Sequence, residues 1–122
     1  MRYMAVFKGS RDSEAYVPSK EDMARMGKYI EEAKNAGWLL ATEGLHPSSK
    51  AARVSLSGGK RSVTDGPFTE SKELIASYAL LQVSSKEEAI ERTWGFLEFI
   101  GGGEIELWQV FEASDFGQEP AP

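Results

Sequence analysis

Two stretches of this sequence carry apolar residues at helical spacing, and a short β-forming run precedes and follows each, which restricts the chain to folds that mix helix and sheet. In the first, Met23, Met26, Tyr29, Ile30 and Ala33 fall three and four apart and make one apolar face. Ser19 with Asp22 three residues later starts it, Gly37 ends it, and the predicted helix covers residues 19–36. In the second, Ser84 or Ser85 caps a turn containing Glu87 and Glu88, whose charges suit a helix N-terminus. Ala89, Ile90, Trp94, Leu97 and Ile100 continue the period until Gly101, Gly102 and Gly103 stop it.

The β-forming runs are residues 2–8, 38–41 and 76–83, with a last strand opening on Ile105 and Leu107 and reaching Phe111. Residues 53–57 and 60–65 flank Gly58-Gly59, the two-residue signal of a β-hairpin. In order this gives strand, helix, strand, hairpin, strand, helix, strand. The simplest packing is a ferredoxin-like (split βαβ) α+β fold, an antiparallel sheet with two helices on one face and an inserted hairpin. The other face would carry aromatic and aliphatic residues with no helix over them, so a second copy of the chain is expected there, forming a homodimer. Tyr3, Phe7, Trp38, Tyr78, Trp94 and Trp108 read as core or interface residues.

A length of 122 residues fits one domain, taken as 1–117 with a frayed tail over 118–122. No window approaches eighteen consecutive apolar residues, so no membrane span is expected. Arg2 precedes only a short apolar run, so no secretory leader is expected either, and with no cysteine in the chain the expected location is cytoplasmic. A net charge of −5 without a basic block disfavours nucleic acid. Small molecules and other proteins remain as partners.

The chemistry concentrates between Val63 and Leu74. Gly66-Pro67 breaks the strand that ends at Asp65, which puts a carboxylate at a strand end beside Pro67 and Phe68. Partial desolvation there would raise its pKa, so Asp65 is the candidate general acid or base. An aspartate bonding the amides of its own turn is the structural alternative. His46, the single histidine, has the one side chain that titrates near neutrality unperturbed, and Pro47 holds it out of helical geometry. It is the second catalytic candidate, and the two are expected to face one cleft. Glu43, Phe68, Lys72, Glu73 and Tyr78 are candidate substrate-binding residues. One histidine with scattered carboxylates does not make a metal site, and neither glycine run lies between a strand and a following helix as a phosphate loop must. No metal or cofactor is expected.

The run Asp65-Gly66-Pro67-Phe68, followed by Thr69, Glu70, Lys72 and Glu73, resembles the signature of the YCII-related proteins, in particular their DGPF branch. Arg2-Tyr3-Met4, Glu43-Gly44-Leu45-His46-Pro47, Arg53-Val54, Glu87-Glu88-Ala89-Ile90, Phe111-Glu112 and Asp115-Phe116 extend the resemblance over residues 1–117. It implies a ferredoxin-like fold pairing into a dimeric α+β barrel with a cleft near the motif. It also implies kinship with a superfamily that includes muconolactone-isomerase-like and dehydrochlorinase-like enzymes. The chain departs from the pattern at Ser77, where relatives usually have glycine, and at Trp108, where an arginine is usual.

Two functions stay open. One is a cofactor-free isomerase or lyase-like enzyme moving a proton on a small polar organic molecule through Asp65 and His46. The other is a noncatalytic dimeric module that binds a small ligand or regulates through the same cleft. Convergence of Asp65 and His46 on one pocket favours the first, and solvation of both favours the second.

Overall fold

The computed structural model describes residues 1–9, 18–68 and 74–117. Strand β1 (Arg2–Gly9) lies inside a four-stranded sheet and pairs antiparallel with both β5 (Leu74–Gln82) and β6 (Ile105–Gln109). Strand β2 (Leu39–Gly44) adds to the far side of β5, so the order is β2-β5-β1-β6 with every neighbour antiparallel. Helix α1 (Lys20–Asn35) joins β1 to β2, and α2 (Lys86–Ile100) joins β5 to β6. This is the ferredoxin-like order expected from the sequence. Strands β3 (Ala52–Ser57) and β4 (Lys60–Asp65) form a separate two-stranded sheet between β2 and β5.

Both helices begin where the sequence marks them. The Ser19 hydroxyl accepts from the Asp22 amide at 3.0 Å, and the Ser85 hydroxyl accepts from the Glu88 amide at 3.1 Å, each satisfying a donor of the first turn. Gly101 closes α2 in the left-handed conformation (φ +93), and the Gly102 amide returns to the Leu97 carbonyl at 2.8 Å. Gly58 and Gly59 both take positive φ at the turn joining β3 to β4. No helix among the described residues is long and apolar enough to cross a membrane.

Several boundaries differ from the periodicity reading. Strand β2 runs to Gly44 rather than Ala41, because Glu43 and Gly44 still pair with Tyr78 and Ser77. Strand β6 ends at Gln109, and the following residues turn instead. The Asp115 carboxylate accepts from the Glu112 amide at 2.7 Å and supports a 3₁₀ turn over Ala113–Phe116. Order therefore continues to Gly117, and residues 118–122, expected as a frayed tail, lie outside the described residues.

The pairing register assigns each sheet residue to a face, since directly opposed residues point the same way. Tyr3 opposes Leu81 and Gln109, Ala5 opposes Ala79 and Leu107, and Phe7 opposes Ser77 and Ile105. This set faces the helices: Tyr3, Ala5, Leu39, Leu81 and Val83 form the buried core with Ala33 of α1 and Ala89 of α2. Met4 opposes Leu80 and Trp108, and Val6 opposes Tyr78 and Glu106, on the face away from the helices. Trp108 is 61% exposed there. Lys8 and Glu106 form an ion pair at 2.9 Å.

Candidate functional site

Ala33 and Ala89 are the sole fully buried residues of the two helices, and Ile30 packs partly buried against the same core. Beyond those contacts the sheet surface is low. Ala5, Ala79 and Thr42 lie side by side on β1, β5 and β2, and Ser77 lies beside Gly44. Aromatic rings hold the helices above this floor. Tyr29 of α1 meets Phe99 and Phe96 of α2 at ring-centre distances of 4.6 and 5.6 Å, and meets Trp38 edge-on at 6.4 Å. Between low floor and propped roof is a largely apolar cavity of about 390 Å³, within the range of small-molecule sites.

Phe7 forms part of the wall beside Gly103, where a Cβ would stand 2.8 Å from the Phe7 ring, closer than packed atoms approach. The cavity's polar groups are few. Thr42 Oγ1 donates to the Tyr78 carbonyl at 2.8 Å, and Thr93 Oγ1 donates to the Ala89 carbonyl at 2.8 Å, so both hydroxyl protons are committed to backbone. The Arg92 guanidinium lies 5.0 Å from the centre of the Trp38 ring. Burial pushes the Tyr29 hydroxyl above the ordinary tyrosine range, and the positive charge of Arg92 partly offsets that rise.

The motif turn lies elsewhere. Asp65 is the last residue of β4, opposite Ala52, and is exposed. The Gly66 amide donates to the Ala51 carbonyl at 2.8 Å, and the Phe68 amide donates to Ser48 Oγ at 3.3 Å. Ser48 is buried, within a 3₁₀ turn over Ser48–Lys50. A Cβ on Gly66 would run into the Ser48 carbonyl, which is why glycine stands there. The Gly66–Pro67 peptide is cis. On the same turn the Arg53 guanidinium lies 4.4 Å from the centre of the Phe68 ring.

The candidate residues thus divide into three places. Glu43 and Tyr78 oppose each other across β2 and β5 and border the large cavity, with a register that turns both side chains toward the face away from the helices. Asp65 and Phe68 share the motif turn and line neither cavity described here. His46 is exposed and lines a separate cleft of about 70 Å³ with Leu45, Pro47 and the start of β5. The loops of Asp65 and His46 meet through Ser48 and Ala51, but the two side chains do not line a common pocket among the described residues. Lys72 and Glu73 lie outside the described residues.

Sequence reasoning missed Tyr29, Trp38 and Arg92 as cavity residues. Tyr29 reads as part of the apolar face of the first helix and Trp38 as a core or interface residue, and Arg92 enters no reading of a site. Arg92 is exposed on α2, so no local pattern marks it as a cavity residue.

A model of the YCII-related domain matches residues 1–112 of the chain. An uncharacterized protein of Rhizobium meliloti (strain 1021) is 38% identical over 64 residues, a stretch covering 52% of this chain and 48% of that protein. The match spans about half the length of this curated relative.

Proposed function

The chain belongs to the YCII-related family, and from that premise we propose that it binds a small, largely apolar organic molecule between its helices and its sheet. The observation that carries this is the 390 Å³ cavity, which exists because Ala5, Ala79, Ser77 and Gly44 keep the floor low beneath the ring cluster of Tyr29, Phe96 and Phe99. The Asp65-Gly66-Pro67-Phe68 run supports a place within the DGPF branch. A second copy of the chain covers the open sheet face in this reading, supported by the register that aligns Met4, Leu80 and Trp108 there and by the exposure of Trp108.

The test is a thermal-shift screen of small organic molecules against the wild type and Ala79→Leu, whose added side chain occupies the cavity. Compounds that raise the unfolding temperature of the wild type alone support the proposal. Hits shared equally by the variant refute it.

A second reading, proton transfer on a small polar molecule by Asp65 with His46 as an isomerase or lyase-like reaction, draws support from the joining of their loops at Ser48 and Ala51. It requires the substrate to bridge two solvated groups. Turnover abolished by Asp65→Asn and by His46→Gln separately, with folding intact, is its signature.

A further inference from the structure

We propose that the ligand of the interlayer cavity is an organic carboxylate with a flat apolar body, its anionic end held by Arg92 and Tyr29. The proposal rests on the small-molecule reading above and adds the ligand's chemical class. It follows from an inventory of hydrogen-bonding groups around the space.

Among the described residues Arg92 has no hydrogen-bond or ion-pair partner, and its side chain carries five N–H donors and no acceptor. The guanidinium carbon lies 5.0 Å from the centre of the Trp38 ring, and the edges of a guanidinium match a carboxylate in the bidentate manner. Glu88, one turn earlier on the same helix, feels the charge of Arg92 but forms no direct ion pair with it. Its carboxylate already accepts from the Ser84 amide and the Ser84 hydroxyl, each at 3.0 Å. Arg92 is therefore left as a cation without a bonded anion, on the rim of an apolar space.

Tyr29 supplies the second donor. Its ring is held by Phe96, Phe99 and Trp38, and among the described residues its hydroxyl has no hydrogen-bond partner. It is close enough to Arg92 for the guanidinium charge to act on its ionisation. Thr42 and Thr93 donate to backbone carbonyls, as described, and Glu43 is directed by its register toward the opposite face. Arg92 and Tyr29 are thus unused donors beside the apolar surface, joined by the Trp38 indole and, on the floor, the Ser77 hydroxyl, and of these Arg92 alone carries charge. A flat ring fits between the rings above and the alanine floor below, with a carboxylate oxygen at each of Arg92 and Tyr29. A neutral polar molecule would pair with Tyr29 but offer the guanidinium of Arg92 no counter-charge.

Two isosteric probes, 1-naphthoate and the neutral 1-naphthamide, test this by isothermal titration or by quenching of Trp38 fluorescence. The wild type is expected to bind the acid at least tenfold more tightly than the amide. Arg92→Gln should bring the two within about twofold, Arg92→Lys should restore part of the preference, and Tyr29→Phe should weaken the acid severalfold. Arg92 is exposed, so these effects are separable from folding, which circular dichroism of each variant checks. Equal binding of acid and amide, lost in Ala79→Leu, overturns the carboxylate assignment and leaves the cavity reading standing. So does a tenfold preference that survives Arg92→Gln. Failure of both probes to bind the wild type overturns the carboxylate assignment, and the thermal-shift screen against Ala79→Leu separately decides the cavity reading.

Discussion

Ala5 stands opposite Ala79 in the antiparallel pairing of β1 with β5, and these two methyl groups set the depth of the space beneath the helices. Ala79→Leu adds three carbons directed into that space. At about 0.8 kcal/mol per buried methylene, less the cost of fixing the new rotamer, the variant should be more stable by about 1 kcal/mol in urea denaturation. A loss of more than about 1 kcal/mol instead would mean that the added carbons overpack their surroundings, and the cavity would be too tight for a ligand.

Met4 faces Trp108 across β1 and β6 on the uncovered side of the sheet, where Trp108 Nε1 donates a 3.2 Å hydrogen bond to Glu106. Burial of this face by a second copy predicts a dimer in sedimentation equilibrium at micromolar concentration. Trp108→Glu should shift it to monomer while preserving the far-ultraviolet spectrum, because the residue makes no core contact within its own chain. A wild-type monomer under the same conditions removes the dimer from the proposed function.

Much of the architecture was legible because it follows from local chemistry. Ser19, Ser85 and Gly101 mark helix ends through bonds made within a few residues, and Gly58-Gly59 marks a hairpin through its own backbone angles. The cavity was not legible in this way. Ala5, Thr42 and Ala79 are unremarked small residues in three separate strands, and they become a floor only once register sets them side by side. The motif turn shows a mixed case. Its glycine and proline announced a break after Asp65, but the partner that excludes a side chain at residue 66 is the Ser48 carbonyl, which no local pattern reveals.

That contact separates a structural role from a chemical one at adjacent positions. Gly66→Ala must displace the backbone of Ser48 or of the turn, and a cost of at least about 2 kcal/mol is expected in urea denaturation. Asp65→Asn changes an exposed group and should stay within about 0.5 kcal/mol of the wild type. Equal costs for the two substitutions would mean that the Asp65 carboxylate holds the turn together, which would weigh against a catalytic role for it.

The last prediction concerns acid. The hydrogen bond from Lys8 holds the Glu106 carboxyl below its usual range, with a further contribution from the Trp108 indole, while desolvation works the other way. A carboxyl with a lowered folded-state pKa binds fewer protons folded than unfolded, so stability falls as pH drops. The contribution is complete above the unfolded value of about 4.3 and is lost as pH falls through the lowered folded value. Glu106→Gln removes the titrating group, so the urea midpoints of wild type and variant should differ by a constant amount from pH 7 down to about 5. They should then draw together toward pH 3. Because the pair is solvent-exposed, 1 M salt should shrink the difference at neutral pH as well. Lys8→Met should abolish most of it, since Lys8 is the first cause of the shift. A difference that persists unchanged at pH 3 would show that Glu106 acts through shape rather than charge.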